Sequence, residues 1–118
     1  KTLAKGEDKY VEIYEGDETK RDMSYHQGIT WPWLLGLYID VYKRILQAEP
    51  DPKTKKAYNE SYAKLISKIQ KTFIKEMEQG KSVGTISEIY DSKKPNLPKG
   101  AFAQAWSIAE VFRIILEK

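Results

Sequence analysis

Three segments of the chain carry hydrophobic residues at helical spacing, and they predict three main helices. In residues 53–79 apolar side chains recur every three or four positions opposite a face of lysines, which is typical of a helix packed on one side. Residues 32–48 are apolar around nearly their whole circumference, so this helix needs cover on most sides. Residues 101–117 place their apolar side chains on one side. The pattern therefore predicts an all-α fold.

Turn-forming residues mark the ends of these helices. Thr30 is the expected N-cap of the first helix, and Pro32 occupies its first turn, where a missing N–H is tolerated. Two prolines, at positions 50 and 52, end that helix because each disfavours helical backbone at the residue before it. Gly80 is the expected C′ residue of the second helix.

The remaining segments show no helical period. Residues 1–30 are interrupted by glycines and are predicted to be an extended lead-in to a single domain. Residues 82–90 alternate weakly between apolar and polar positions, which indicates a short extended piece. Residues 91–100 are dense in turn formers and predict a loop.

Composition narrows the function classes. The 118 residues fit one domain, and 20 basic against 17 acidic residues leave a net charge of +3, too weak to indicate a nucleic-acid partner. No apolar run reaches the roughly 18 residues of a membrane span, so we expect no membrane partner. The chain has no cysteine and one histidine, which excludes a disulfide scaffold and a thiolate zinc site.

The apolar circumference of residues 33–46 exceeds what two further helices cover. We expect the missing cover to come from a partner chain or from sequence outside these residues, because large apolar patches are rarely left exposed. The chain starts at Lys1 without a methionine, so we expect either a processed N-terminus or a piece of a larger protein. The alternative is a three-helix bundle whose loops cap the remaining face.

Three short stretches combine aromatic, polar and small residues, namely residues 25–33, 84–91 and 104–107. They contain all the tryptophans of the chain, which are Trp31, Trp33 and Trp106. Flat aromatic faces beside hydrogen-bonding side chains suit a carbohydrate pocket. The alternative is that the tryptophans are ordinary core residues.

Glu88 is the residue that most favours acid–base chemistry. It lies between Ile86 and Ile89, and a carboxylate flanked by apolar residues is partly desolvated, which suits a general acid or base. An ordinary surface glutamate is the alternative. His26 by itself is more often a structural hydrogen-bonding residue, and the acidic residues at positions 17, 18 and 22 lack the spacing of a calcium loop.

The motifs resemble one known family. The stretch DMSYHQGITWPWLLG at 22–36, the stretch GTISEIYD at 84–91 and the stretch AQAWSIAEV at 103–111 are similar to glycogen debranching enzymes. The resemblance is to the C-terminal end of the amylo-alpha-1,6-glucosidase domain, and it covers almost the whole chain in order.

The resemblance implies the C-terminal segment of an (α/α)6 toroid of the six-hairpin glycosidase type, with residues 32–48 in the inner ring and 53–79 in the outer ring. It implies a cytoplasmic hydrolase that removes α-1,6-linked glucose at the branch points of glycogen or limit dextrin. Water is the nucleophile, the anomeric centre inverts, and two carboxyl groups act without a metal or another cofactor.

The resemblance also implies roles for particular residues. Glu88 matches the general base, and the general acid is an aspartate upstream of this chain, for which Asp22 and Asp91 do not substitute. The positions expected to recognise the sugar are His26, Gln27, Trp31, Trp33, Gln104 and Trp106. We expect the isolated chain to be inactive and to self-associate. A non-catalytic helical interaction module, and another toroid glycosidase of the glucoamylase or trehalase type, remain as alternatives.

Overall fold

The computed structural model describes residues 2–81 and 83–116, and in this part the chain is mostly helical. The helices are α1 (Glu18–Ser24), α2 (Leu34–Ala48), α3 (Pro52–Gln79) and α4 (Ala105–Ile115). Strands β1 (Ile89–Tyr90) and β2 (Pro98–Lys99) form a small antiparallel sheet. The prediction of an all-α fold is confirmed at this level.

Helix α3 agrees closely with its prediction. The Asp51 carboxylate caps it by accepting a hydrogen bond of 2.8 Å from the Thr54 backbone N–H, and Pro52 starts the helix. Its buried positions are Ile66 and Ile69, whereas the lysines of the opposite face are exposed. Gly80 follows the last helical residue as the C-cap, one position earlier than the predicted C′ role, and its backbone is extended.

Helix α2 begins at Leu34, two residues later than predicted, and Thr30 is not its N-cap. The backbone of Thr30 instead exchanges two hydrogen bonds of 2.9 Å with Tyr90, which joins the loop before α2 to strand β1. Trp33 occupies the cap position without a capping side-chain hydrogen bond. The tertiary pairing with β1 therefore replaced the local cap.

Helix α4 begins at Ala105 rather than at residue 101. The backbone of Ala101 accepts a hydrogen bond of 2.9 Å from Glu88 N–H, and Gln104 N–H donates to the Ile86 carbonyl at 3.0 Å. Residues 101–104 thus bind the loop before β1 instead of forming a helical turn. The helix ends at Ile115, and position 117 of the predicted range lies outside the described residues.

The prediction of an irregular lead-in was wrong at residues 18–24, which form helix α1. Asp17 caps this helix by accepting a hydrogen bond of 2.9 Å from Lys20 N–H. Only Ser24 is buried, so the seven residues carry no apolar stripe that the periodicity could show. In the predicted extended piece at 82–90, only residues 89 and 90 form a strand, and Ser82 lies outside the described residues.

Helices α2 and α4 run parallel to each other and antiparallel to α3. Tyr42 in the second half of α2 contacts Tyr62 in the first half of α3, with ring centroids 5.4 Å apart, whereas Leu35 near the start of α2 lines a groove with Phe73 in the second half of α3. Trp33 and Trp106, at the starts of α2 and α4, have ring centroids 6.4 Å apart. One buried cluster joins all three helices and contains Ile39, Ile66, Ile69 and Ile114.

One face of α2 is left exposed by the residues that the structure describes. The side chains of Leu37, Val41 and Ile45 are 52–55% exposed and follow one another at four-residue steps. The predicted excess of apolar surface on this helix is therefore present in the structure.

Within the described part of the chain, no helix is both long and apolar enough to cross a bilayer.

Candidate active site

A cavity of about 500 Å³ lies where the loop before α2, the residue before β1 and the start of α4 meet. Its wall is largely aromatic, and Glu88 is the one acidic residue among the lining residues that the structure describes. The lining residues are Thr2, Tyr25, His26, Trp31, Trp33, Leu34, Glu88 and Trp106.

The loop that carries Glu88 is held on both sides. Ile86 and Ile89 are fully buried, which anchors the backbone on either side of the glutamate. Glu88 N–H donates to the Ala101 carbonyl at 2.9 Å, and β1 pairs with β2 immediately afterwards. Glu88 itself stays half-buried and points to the cavity.

Both oxygens of the Glu88 carboxylate accept hydrogen bonds. The Tyr25 hydroxyl donates to Oε1, and the Ala101 backbone N–H donates to Oε2 at 3.1 Å. An ionised carboxylate is an acceptor at both oxygens and offers about four lone-pair sites, so each oxygen retains capacity for one more donor such as water. The arrangement therefore suits a carboxylate that receives a proton.

Tyr25 is protonated near neutral pH, as tyrosines ordinarily are, and its surroundings extend that range to higher pH. Burial, followed by the hydrogen bond to Glu88, raises the pKa of Tyr25 well above its usual value of 10.0. The phenol therefore remains a hydrogen-bond donor to the carboxylate at all pH values near neutrality.

The aromatic wall has two parts. His26 and Trp31 stack with centroids 5.1 Å apart and planes 4° apart, and Trp31 Nε1–H donates to the Tyr25 carbonyl at 3.1 Å. Trp33 and Trp106, which also line the cavity, have ring centroids 6.4 Å apart. Trp31 is 6% exposed and belongs to a buried cluster, whereas Trp106 is 51% exposed. The tryptophans are thus partly core and partly surface of the cavity.

The structure brings five of the seven predicted site residues together. His26, Trp31, Trp33, Glu88 and Trp106 all line the cavity.

Gln27 and Gln104 do not line this cavity. Gln27 borders a separate groove beside α1, and its carbonyl accepts a hydrogen bond of 2.6 Å from Val11 N–H. The backbone N–H of Gln104, the residue before α4, donates a hydrogen bond of 3.0 Å to the Ile86 carbonyl. The roles assigned to all seven residues stay predictions.

The other two acidic residues considered from the sequence lie elsewhere. Asp91 is 4% exposed, accepts a hydrogen bond of 2.8 Å from Tyr14 N–H and lies 3.9 Å from Lys99 Nζ, so it ties the lead-in to the sheet. Asp22 is exposed beside the groove of Gln27. Across residues 2–81 and 83–116, no cluster of three or more His, Asp or Glu residues is arranged to hold a metal ion.

Tyr25, Gly100 and Ala101 were not singled out by sequence reasoning. Gly100 adopts φ +67°, and a Cβ there would collide with Oε2 of Glu88. Tyr25 lies within a motif that the resemblance used, but it is 63 positions from Glu88 along the chain. The contact between Tyr25 and Glu88 is set by the tertiary fold, and no local sequence pattern indicates it.

A carboxylate in a cavity walled by aromatic rings provides groups of the kind that glycosidases use on sugars. The family model described as amylo-alpha-1,6-glucosidase matches residues 1–113. The chain therefore belongs to the amylo-alpha-1,6-glucosidase family, and the predicted resemblance is confirmed. Neither the curated proteins nor the solved structures include a significant match to the chain.

Proposed function

We propose that this chain supplies the general base and part of the sugar pocket of an inverting glucosidase that hydrolyses α-1,6-linked glucose at glycogen branch points. The supporting observation is the carboxylate of Glu88, which is held by two donors in a cavity walled by indole rings. Membership in the amylo-alpha-1,6-glucosidase family supports the substrate class.

In this proposal Glu88 removes a proton from a water molecule at the cavity. The oxygen of that water bonds to the anomeric carbon as the bond from that carbon to the leaving oxygen breaks, and the leaving oxygen takes a proton from a carboxylic acid. Inverting enzymes hold the two carboxyl groups about 6.5–9.5 Å apart to leave room for the water. Because the described lining residues include one carboxylate, the acid comes from residues other than these.

The helix arrangement supports a six-hairpin toroid as the parent fold. Two parallel helices joined by an antiparallel one, as in α2, α3 and α4, form the repeating unit that an inner and an outer ring require. The exposed row of Leu37, Val41 and Ile45 supports neighbouring helices as the missing cover. We propose α2 and α4 as inner helices and α3 as an outer helix.

The first test is Glu88→Gln in the full-length enzyme that contains this chain. We expect glucose release from phosphorylase-limit dextrin to fall roughly 10²–10⁴-fold, because the amide cannot accept the proton of the water. Binding of glucose, measured by calorimetry, is expected to persist. Glu78→Gln, at an exposed position of α3, is the matched control and should leave turnover unchanged.

The stereochemistry gives a second readout on the same residue. Azide needs no proton removed, so Glu88→Ala with sodium azide is expected to form β-glucosyl azide while the acid still protonates the leaving oxygen. Full turnover by Glu88→Gln would overturn the assignment of the base, and an α-configured azide would overturn inversion. Comparing limit dextrin with maltose and trehalose separates debranching from a glucoamylase or trehalase activity. The 118-residue chain alone is expected to release no glucose.

A further inference from the structure

We propose that Tyr25 is the positioning residue of Glu88, and that its hydroxyl sets the direction in which the carboxylate faces the attacking water. This inference rests on the proposed function of Glu88 as a base. The carrying observation is the hydrogen bond from the Tyr25 hydroxyl to Oε1, across 63 positions of sequence.

Each oxygen of the Glu88 carboxylate is held by a different donor. Ala101 N–H holds Oε2 at 3.1 Å and belongs to the backbone. Rotation of a glutamate about its terminal torsion is broad and weakly restricted, so one donor leaves the plane of the carboxylate free to turn. The second donor, from Tyr25 to Oε1, fixes that plane. This second donor is a side chain, the Tyr25 hydroxyl, and can therefore be removed by substitution.

Tyr25 can perform this role because its own ring is held on several sides. Its centroid lies 4.7 Å from Trp31, 4.9 Å from His26 and 5.7 Å from Tyr14. Its carbonyl accepts the Trp31 indole N–H at 3.1 Å. The aromatic residues that wall the cavity therefore also place the hydroxyl that orients the base.

The raised pKa of Tyr25 supports the same role. Burial contributes most to the rise and Glu88 contributes next, so the phenol stays neutral and keeps its proton for the hydrogen bond. A neutral donor orients the carboxylate without taking the proton that Glu88 removes from water.

The test is Tyr25→Phe in the full-length enzyme, which removes the hydroxyl and retains the ring. We expect kcat on limit dextrin to fall at least 10-fold, with KM within 2-fold, because the lost interaction aligns the base and does not bind the sugar. Replacing Tyr25 with 4-aminophenylalanine restores a donor and should recover part of kcat.

Tyr14→Phe is the matched control, because it removes a hydroxyl from the neighbouring ring, which does not line the cavity. It should leave kcat unchanged. Each kcat is expressed per folded molecule, with the folded fraction measured by circular dichroism, so the comparison survives a loss of stability in Tyr25→Phe.

The outcomes separate this inference from the proposed function. An unchanged kcat in Tyr25→Phe, with Glu88→Gln inactive, would overturn the role of Tyr25 and leave the function standing. A rise in KM at constant kcat would also overturn it, because Tyr25 would then bind sugar directly. Full activity of Glu88→Gln would overturn the proposed function itself.

Discussion

Two glycines allow the backbone to approach where a side chain would not fit. Gly100 brings the Ala101 N–H to the Glu88 carboxylate, at φ +67°. Gly28 adopts φ +123° and lies against the lead-in, where Val11 N–H bonds the carbonyl of Gln27. Glycine adopts positive φ without the steric cost of a Cβ, so both positions support the loops that form the cavity.

Replacing Gly28 with alanine is expected to lower the free energy of unfolding by about 2–3 kcal/mol, because a side chain at this φ is strained and meets the lead-in. Its Cβ would lie 2.5 Å from the Tyr10 ring and 2.6 Å from the Val11 carbonyl oxygen. Urea denaturation of the two proteins measures the difference.

Gly6→Ala is the control for the backbone contribution. Gly6 has φ +101° but no atom within 4 Å of the added Cβ, so we expect a loss of only about 1 kcal/mol. Equal losses in the two variants would show that contact with Tyr10 and Val11 contributes nothing.

At the scale of elements, the contact between α2 and α4 brings Trp33 and Trp106 to the same cavity. Arg113 of α4 donates to Asp40 of α2 at 2.8 and 3.0 Å and to Glu110 at 2.6 Å. The donated hydrogen bonds from Arg113 lower the pKa of Asp40 from its usual value of 3.8. The pair is solvent-exposed, so its contribution is small and screened by salt.

The lowered pKa of Asp40 predicts a pH dependence of this contact. A carboxyl group whose pKa is lower in the folded state stabilises the fold above its unfolded value, near 4, and this stabilisation is lost as pH falls through the folded value. The melting temperature of Asp40→Asn should therefore lie below that of the original chain at pH 6. The difference should shrink as the pH is lowered towards 2, and a difference independent of pH would contradict this assignment.

At the scale of the whole molecule, the apolar surface of α2 exceeds the cover that residues 2–81 and 83–116 provide. Leu37, Val41 and Ile45 form an exposed row, and Val41 and Ile45 line a groove together with Tyr58 of α3. Apolar area removed from water contributes about 25 cal/mol per Å², so this row favours association with another surface. A second copy of the chain is the partner present in a pure sample.

The isolated chain is therefore expected to self-associate through this row. Sedimentation velocity should show a weight-average sedimentation coefficient that rises with concentration. Val41→Glu should restore the monomer, because a charge in the contact is costly to desolvate. Gln47→Glu, an exposed change on another side of α2, should not. A monomer at all concentrations for the original chain would contradict the expectation.

Local sequence patterns predicted much of the fold, and the elements that they did not predict depend on contacts between distant residues or lack a buried face. The stripe of α3 and its terminal Asp51 and Gly80 are local signals, and the helix follows them closely. Helix α1 was not predicted because only one of its seven residues is buried, so it has no apolar stripe that periodicity could show. The start of α4 moved because Ala101 bonds to Glu88, a contact between residues 13 positions apart.

The sequence by itself determined the helical class, the course of α2 and α3, and the family, because periodicity, caps and motifs are properties of neighbouring residues. It also marked Glu88 and the three tryptophans as candidates for one site. Only the tertiary structure decided that these residues share a cavity, that Gln27 and Gln104 lie outside it, and that Tyr25 holds the carboxylate. The physical reason is that hydrogen bonds and packing between distant segments depend on the tertiary fold, and no pattern among neighbouring residues shows which distant segments meet.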